Sequence, residues 1–149
     1  MIESVEQLKG VLDYVGRHIS SPATAYLIGG GALMMHGLKD TTKDIDLATD
    51  PQATNYIISG LREADNSWTC RIGDNQYLFL KIFLNSQDIT VELFANDEYK
   101  LLEGKAAIIS KHDNLTVEVP CIRELFVLKD RQLKALLKEG KKRHKEEDD

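Results

Sequence analysis

The chain has 149 residues, of which 42% are hydrophobic and 29% charged, and carries a net charge of −5. One domain accommodates that length, and the acidic balance argues mildly against a surface built mainly to hold nucleic acid, while leaving room for RNA at a local patch. No apolar run could span a bilayer, no basic-then-apolar leader opens the sequence, and two distant cysteines, Cys70 and Cys121, read as small core residues in a reducing, cytoplasmic setting.

Ser4 and Gln7 have the spacing of a capping box, and Val5, Leu8, Leu12, Val15 and Ile19 recur at spacings of three and four. Residues 4–19 are therefore predicted helical, ended by Ser20, Ser21 and Pro22. Ala25–Ile28 reads as a buried strand that runs into Gly29, Gly30 and Gly31, followed by a short helix stopped at Gly37. A second strand is expected over Asp44–Ala48. Asp50 then Pro51 is a helix start, a capping carboxylate before a proline, and the helix runs to about Ala64. Strands follow at 67–72, 77–84 and 88–94, then a hairpin of Ala106–Ser110 and Leu115–Val119. The last helix is expected from Ile122 to about Lys138, and the charged residues 141–149 read as a frayed tail behind a single domain over 1–140.

The chemistry concentrates between Tyr26 and Thr49. Glycines between a strand and a helix let backbone N–H groups approach phosphates at the positive helix end. Downstream, Asp44 and Asp46 sit two apart on a strand, so they share one face while Ile45 and Leu47 share the other. Paired carboxylates repel unless a cation lies between them, and hard divalent metals take oxygen ligands. A third carboxylate is available on the strand Ile89–Phe94. Ile89, Val91 and Leu93 form its apolar side, leaving Glu92 opposite, with Asp88 as second choice.

Lys129 stands out independently. Ile122, Phe126, Leu133, Leu136 and Leu137 define an apolar stripe on the last helix, and Lys129 falls near its middle. A lysine there must snorkel or face a polar pocket.

These residues resemble a known pattern. Ile28-Gly29-Gly30 followed by Asp44-Ile45-Asp46-Leu47 is similar to the signature of DNA-polymerase-β-like nucleotidyltransferases, and Val91-Glu92-Leu93-Phe94 looks like their third-carboxylate strand. The stretch GGGALMMHGLKDTTKDIDL is closest to AbiEii-toxin-like minimal members, which often read Gly-Gly-x-Ala-Leu, then Arg-x-Thr-x-Asp-hydrophobic-Asp. The resemblance covers about residues 24–95, with a looser match through Leu128-Lys129. It implies an α/β fold of the α+β type: a small mixed sheet, helices mainly on one side, and an open carboxylate face. It also implies Mg2+ or Mn2+ held by Asp44, Asp46 and Glu92, and a nucleoside triphosphate whose phosphates meet the Gly29, Gly30 and Gly31 backbone. Thr42, Lys43 and Lys129 become candidate phosphate contacts. Two departures stand: Asp40 occupies the position often taken by arginine, so Lys39 or Lys43 must supply positive charge, and the third carboxylate is Glu rather than Asp.

The expected reaction moves a nucleoside monophosphate to a hydroxyl of RNA, protein or a small molecule and releases pyrophosphate. A minimal domain of this kind often needs a homodimer or a partner chain. The rival expectation is a non-catalytic nucleotide- or metal-binding module acting through a protein partner, as in a toxin–antitoxin-like pair; Asp40 favours it and the complete carboxylates oppose it. Simpler roles are expected for His36 (a structural histidine), for Asp50 (a helix cap), and for Trp68 and Tyr77 (core or sheet). Arg131, Lys134 and Lys138 are expected on a solvated helix face.

Overall fold

The computed structural model describes residues 1–64, 71–72 and 77–147, the side chains of 71–77, 135–136 and 139–147 excepted. The chain order is α1 (Val5–His18), β1 (Ala23–Ile28), α2 (Gly29–Met35), β2 (Asp44–Ala48), α3 (Pro51–Glu63), β3 (Arg71–Ile72), β4 (Tyr77–Leu84) and β5 (Gln87–Phe94). It continues with α4 (Glu98–Leu102), β6 (Ala106–His112), β7 (Leu115–Pro120) and α5 (Ile122–Glu147).

Local chemistry starts the helices where the sequence marks them. Ser4 Oγ accepts from Gln7 N at 3.0 Å, and the Gln7 side chain returns to Glu3 N at 2.9 Å rather than to the capping residue itself. Asp50 Oδ1 accepts from Ala53 N at 2.7 Å, with Pro51 in the first helical turn. The α1 stripe of Leu8, Leu12, Val15 and Ile19 is buried, and Ile57 and Leu61 of α3 join the same core.

Seven strands form one mixed sheet in the order β3-β4-β5-β2-β1-β7-β6. β2 lies antiparallel to β1 and parallel to β5. Register divides the sheet into two faces. Leu27, Leu47, Ile45, Val91, Leu93 and Val117 are buried on one face, and Gly31 of α2 packs on Leu27 beside Leu8 of α1. Tyr26, Ile28, Asp44, Asp46, Thr90 and Glu92 share the opposite face. The α1, α2 and α3 helices accordingly seal one side and leave the carboxylates on the other. The backbone approaches closely at Gly16, where a β-carbon would overlap the His112 carbonyl, which brings α1 against the β6–β7 hairpin. His112 reinforces that junction: its ring bonds Asp13 at 2.6 Å and Ser110 at 2.8 Å.

Three expectations change. Residues 29–31 are not a loop before the helix but its first turn: α2 starts at Gly29, whose φ of +64° turns the chain out of β1. The short α4 was not expected; Asn96 Oδ1 accepts from Glu98 N at 3.0 Å and starts a turn that has no helical stripe in the sequence. Among the described side chains of α5 the buried ones are Leu125 and Leu128, whereas Ile122, Phe126, Leu133 and Leu137 are 36–65% exposed; Leu136 lies outside the described side chains. The expected stripe is thus the outer one. Periodicity finds an apolar face but cannot say which of two neighbouring faces meets the core, and the helix also continues past Lys138 to Glu147. Trp68, Cys70 and most of the strand expected at 67–72 lie outside the described residues.

Candidate active site

The parallel register of β2 and β5 sets Asp44 beside Thr90 and Asp46 beside Glu92, so one strand pair carries all three expected carboxylates on one face. Asp44 is exposed; Asp46 and Glu92 are half-buried. Asp88, the second choice, is paired with Phe83 and lies four residues along β5 from Glu92.

Asp46 and Glu92 face each other within hydrogen-bonding reach, an arrangement two carboxyls hold only with a proton or a cation between them. Burial pushes the Asp46 carboxyl up to about 6, and the neighbouring Asp44 charge adds to it while Lys39 opposes it. Burial, then the Asp46 charge, pushes Glu92 up to about 7. The other oxygen of Asp46, Oδ1, is buried with no hydrogen-bond partner. Carboxyls pushed toward their neutral form by burial first and neighbouring negative charge second, with one orphaned oxygen among hard oxygen donors, fit a divalent magnesium or manganese ion. Among the described residues no three His, Cys, Asp or Glu side chains stand already converged as a ligand set, since Asp44 lies toward solvent.

The glycine turn closes directly over this pair. A β-carbon on Gly29 would overlap Asp46 Oδ2, and one on Gly30 would overlap Thr42 Oγ1 and come within 3.2 Å of Lys39 Nζ. Thr42 is 7% exposed and donates its hydroxyl to the Asp44 carbonyl at 3.0 Å, while its backbone bridges Ile2. It holds the entry of β2 in place. Lys43 lies with Thr42, Asp44, Asp46, Gly30 and Lys39 around a cleft of about 360 Å³.

A second cleft, of about 180 Å³, adjoins it through Gly30, Lys39 and Asp46. Its polar end is Gly29, Gly30, Lys39 and Asp46; its apolar walls include Ile28, Phe94, Leu125 and Phe126; Lys129 and Gln132 complete it from α5. Lys129 therefore reaches the site, but from the exposed rim of α5 and not from the middle of a buried stripe. Gly31 faces the core instead: a β-carbon there would lie 3.1 Å from Leu27 Cδ1 and crowd the helix against the sheet.

Sequence reasoning named Lys39 only as one of two substitutes for the missing arginine. It lines both clefts and offsets the charge on Asp46. The signal was its place just beyond Gly37, where α2 ends and the chain turns back toward β2. Gln132 gave no signal, because its relation to the glycines exists only in three dimensions. His36 is structural: its Nε2 meets the Pro120 carbonyl at 2.8 Å. Lys134 pairs with Asp130 at 2.9 Å on the solvated side of α5.

No family model matches the sequence, and no curated protein matches it. The fold does have a counterpart among solved structures. A provisionally assigned nucleotidyltransferase from Thermotoga maritima superposes with a TM-score of 0.56 over 93% of this chain and 96% of that one, at 17% identity. With the strand order and carboxylate face described above, that similarity gives the protein the mixed α/β fold of a nucleotidyltransferase.

Proposed function

We propose that the protein is a metal-dependent nucleotidyltransferase that moves a nucleoside monophosphate from a nucleoside triphosphate to a hydroxyl, releasing pyrophosphate. The observation that carries this reading is the contact between Gly29 and Asp46: the turn suited to phosphates sits against the carboxylate suited to a cation. Asp44, Asp46 and Glu92 would hold Mg2+ or Mn2+, which when bound neutralises phosphate charge and activates a hydroxyl nucleophile. The backbone of Gly29 and Gly30 orients the phosphates at the start of α2, and Lys39, Lys43 and Lys129 supply positive charge from both clefts. The Thr42 hydroxyl fixes the main chain at Asp44 by donating to its carbonyl.

The acceptor in this reading is a hydroxyl of RNA, protein or a small molecule, reached in the cytoplasm. The open carboxylate face and small clefts favour an acceptor presented by a second copy or a partner chain, as in the toxin-like members the sequence resembles. A second reading, a nucleotide-binding module without turnover, is favoured by Asp40 at the usual arginine position and by the exposure of Asp44. Calorimetric titration of nucleoside triphosphates, with and without magnesium, separates these from failure. Magnesium-dependent binding that is lost in Asp44→Asn/Asp46→Asn supports the site, and release of pyrophosphate with an acceptor supports the enzyme. A protein that binds no triphosphate in either condition overturns both.

A further inference from the structure

We infer that Gln132 selects the base of the donor nucleotide and favours bases with an amino group at purine position 6 or pyrimidine position 4, adenine or cytosine. The inference rests on the nucleotidyltransferase reading above and names the donor class for that site.

The smaller cleft has two chemically distinct ends. Gly29, Gly30, Lys39 and Asp46 make one end polar, while Phe94, Phe126 and Leu128 offer flat or aliphatic walls at the other. A triphosphate with a planar base matches that division, since bases stack on aromatic side chains without regard to sequence. Lys129 stands on the rim as a cation, so Gln132 is the neutral hydrogen-bonding side chain in the lining and the group able to tell one base edge from another.

What Gln132 can offer is decided by its neighbour. Its Nε2 donates to both carboxylate oxygens of Glu98, at 3.4 and 3.5 Å. A carboxylate only accepts, so the amide must keep its NH2 toward Glu98 and turn its carbonyl oxygen away. That oxygen accepts no hydrogen bond among the described residues. Glu98 is itself fixed at the start of α4, where its backbone N–H bonds Asn96. Gln132 therefore meets a ligand as an acceptor and not as a donor. The amino group at adenine position 6 or cytosine position 4 satisfies it. The carbonyls at the same positions of guanine and uracil set oxygen against oxygen.

The test is titration of ATP, CTP, GTP and UTP, with magnesium, into the full-length wild type, Gln132→Leu and Glu98→Gln. The wild type is expected to bind ATP or CTP roughly tenfold more tightly than GTP and UTP, the scale of one hydrogen bond exchanged for an unpaired acceptor. Gln132→Leu keeps triphosphate binding and brings the four affinities to within about twofold. Glu98→Gln keeps Gln132 but allows its amide to turn over, so the preference falls there as well. Equal affinity for all four bases in the wild type overturns the inference while leaving the enzyme reading intact. So does a preference that survives Gln132→Leu. Wild type that binds no triphosphate at all overturns the enzyme reading itself, and with it this assignment.

Discussion

Gly29 lies so close to Asp46 that a β-carbon at position 29 would occupy the space of Asp46 Oδ2. The two residues are 17 apart in the chain and are brought together because β1 pairs antiparallel with β2, opposing Ile28 to Asp46. Gly29→Ala must adopt a φ of +64° and also displace the carboxylate. The backbone term alone costs about 1 kcal/mol. Urea denaturation should show a loss of roughly 1–3 kcal/mol, and triphosphate binding should fall sharply. An alanine variant with wild-type stability and binding would mean that Asp46 has room to move.

The Asp46–Glu92 pair should make the metal-free protein sensitive to pH. Both carboxyls sit above their ordinary values of 3.8 and 4.5, at about 6 and about 7. The folded state then holds protons that the unfolded chain has released, so stability falls as pH rises across that window and levels off above about pH 7. Melting temperature should therefore be higher at pH 5 than at pH 8. Asp46→Asn should flatten the slope, and added magnesium should raise the melting temperature more at pH 8 than at pH 5. A metal-free melting temperature that rises steadily from pH 5 to pH 8 would contradict the assignment.

Thr42 acts on the site through the backbone. Its hydroxyl donates to the Asp44 carbonyl from a nearly closed position. Thr42→Val keeps the shape and loses the donor, at an expected cost of about 1–2 kcal/mol, whereas Thr42→Ser should retain most of the stability. Thermal unfolding of the two variants decides it: equal losses would point to the methyl group rather than the hydroxyl.

Two leucines on α5 should respond oppositely to truncation. Leu128 is 5% exposed and packs in the core, so Leu128→Ala should cost about 2–4 kcal/mol. Leu133 is 51% exposed, and Leu133→Ala should stay within about 0.5 kcal/mol of wild type. Chemical denaturation of both variants checks which face is inward; a large loss at Leu133 would show it covered by a partner surface.

His112 ties α1 to the last hairpin far from the carboxylates. It is 4% exposed and bonded on both ring nitrogens, to Asp13 and Ser110. His112→Ala should lower stability by about 2–4 kcal/mol, from a cavity and two lost hydrogen bonds. Triphosphate affinity, measured well below the melting temperature, should be unchanged.

Much of the fold was legible because local signals were strong. The α1 and α3 starts follow from Ser4, Asp50 and Pro51, whose hydrogen bonds are made within a few residues. Strand alternation told Glu92 from Val91 and Leu93, since successive side chains on a strand must face opposite ways. Neither α4 nor the extent of α5 carried such a signal. Helical continuation through charged residues is a weak preference that periodicity does not measure.

The sequence by itself determined which residues could share a face: the glycine turn, the Asp44/Asp46 pair, and Glu92 opposite an apolar edge. These follow from backbone periods of one strand or one helix. Only the tertiary structure decided that Glu92 and not Asp88 stands beside Asp46, that Leu125 and Leu128 and not Phe126 and Leu133 turn inward, and that Gln132 joins Lys39 around one cleft. Strand register and helix rotation are set by how the whole core packs, and no local period contains that information.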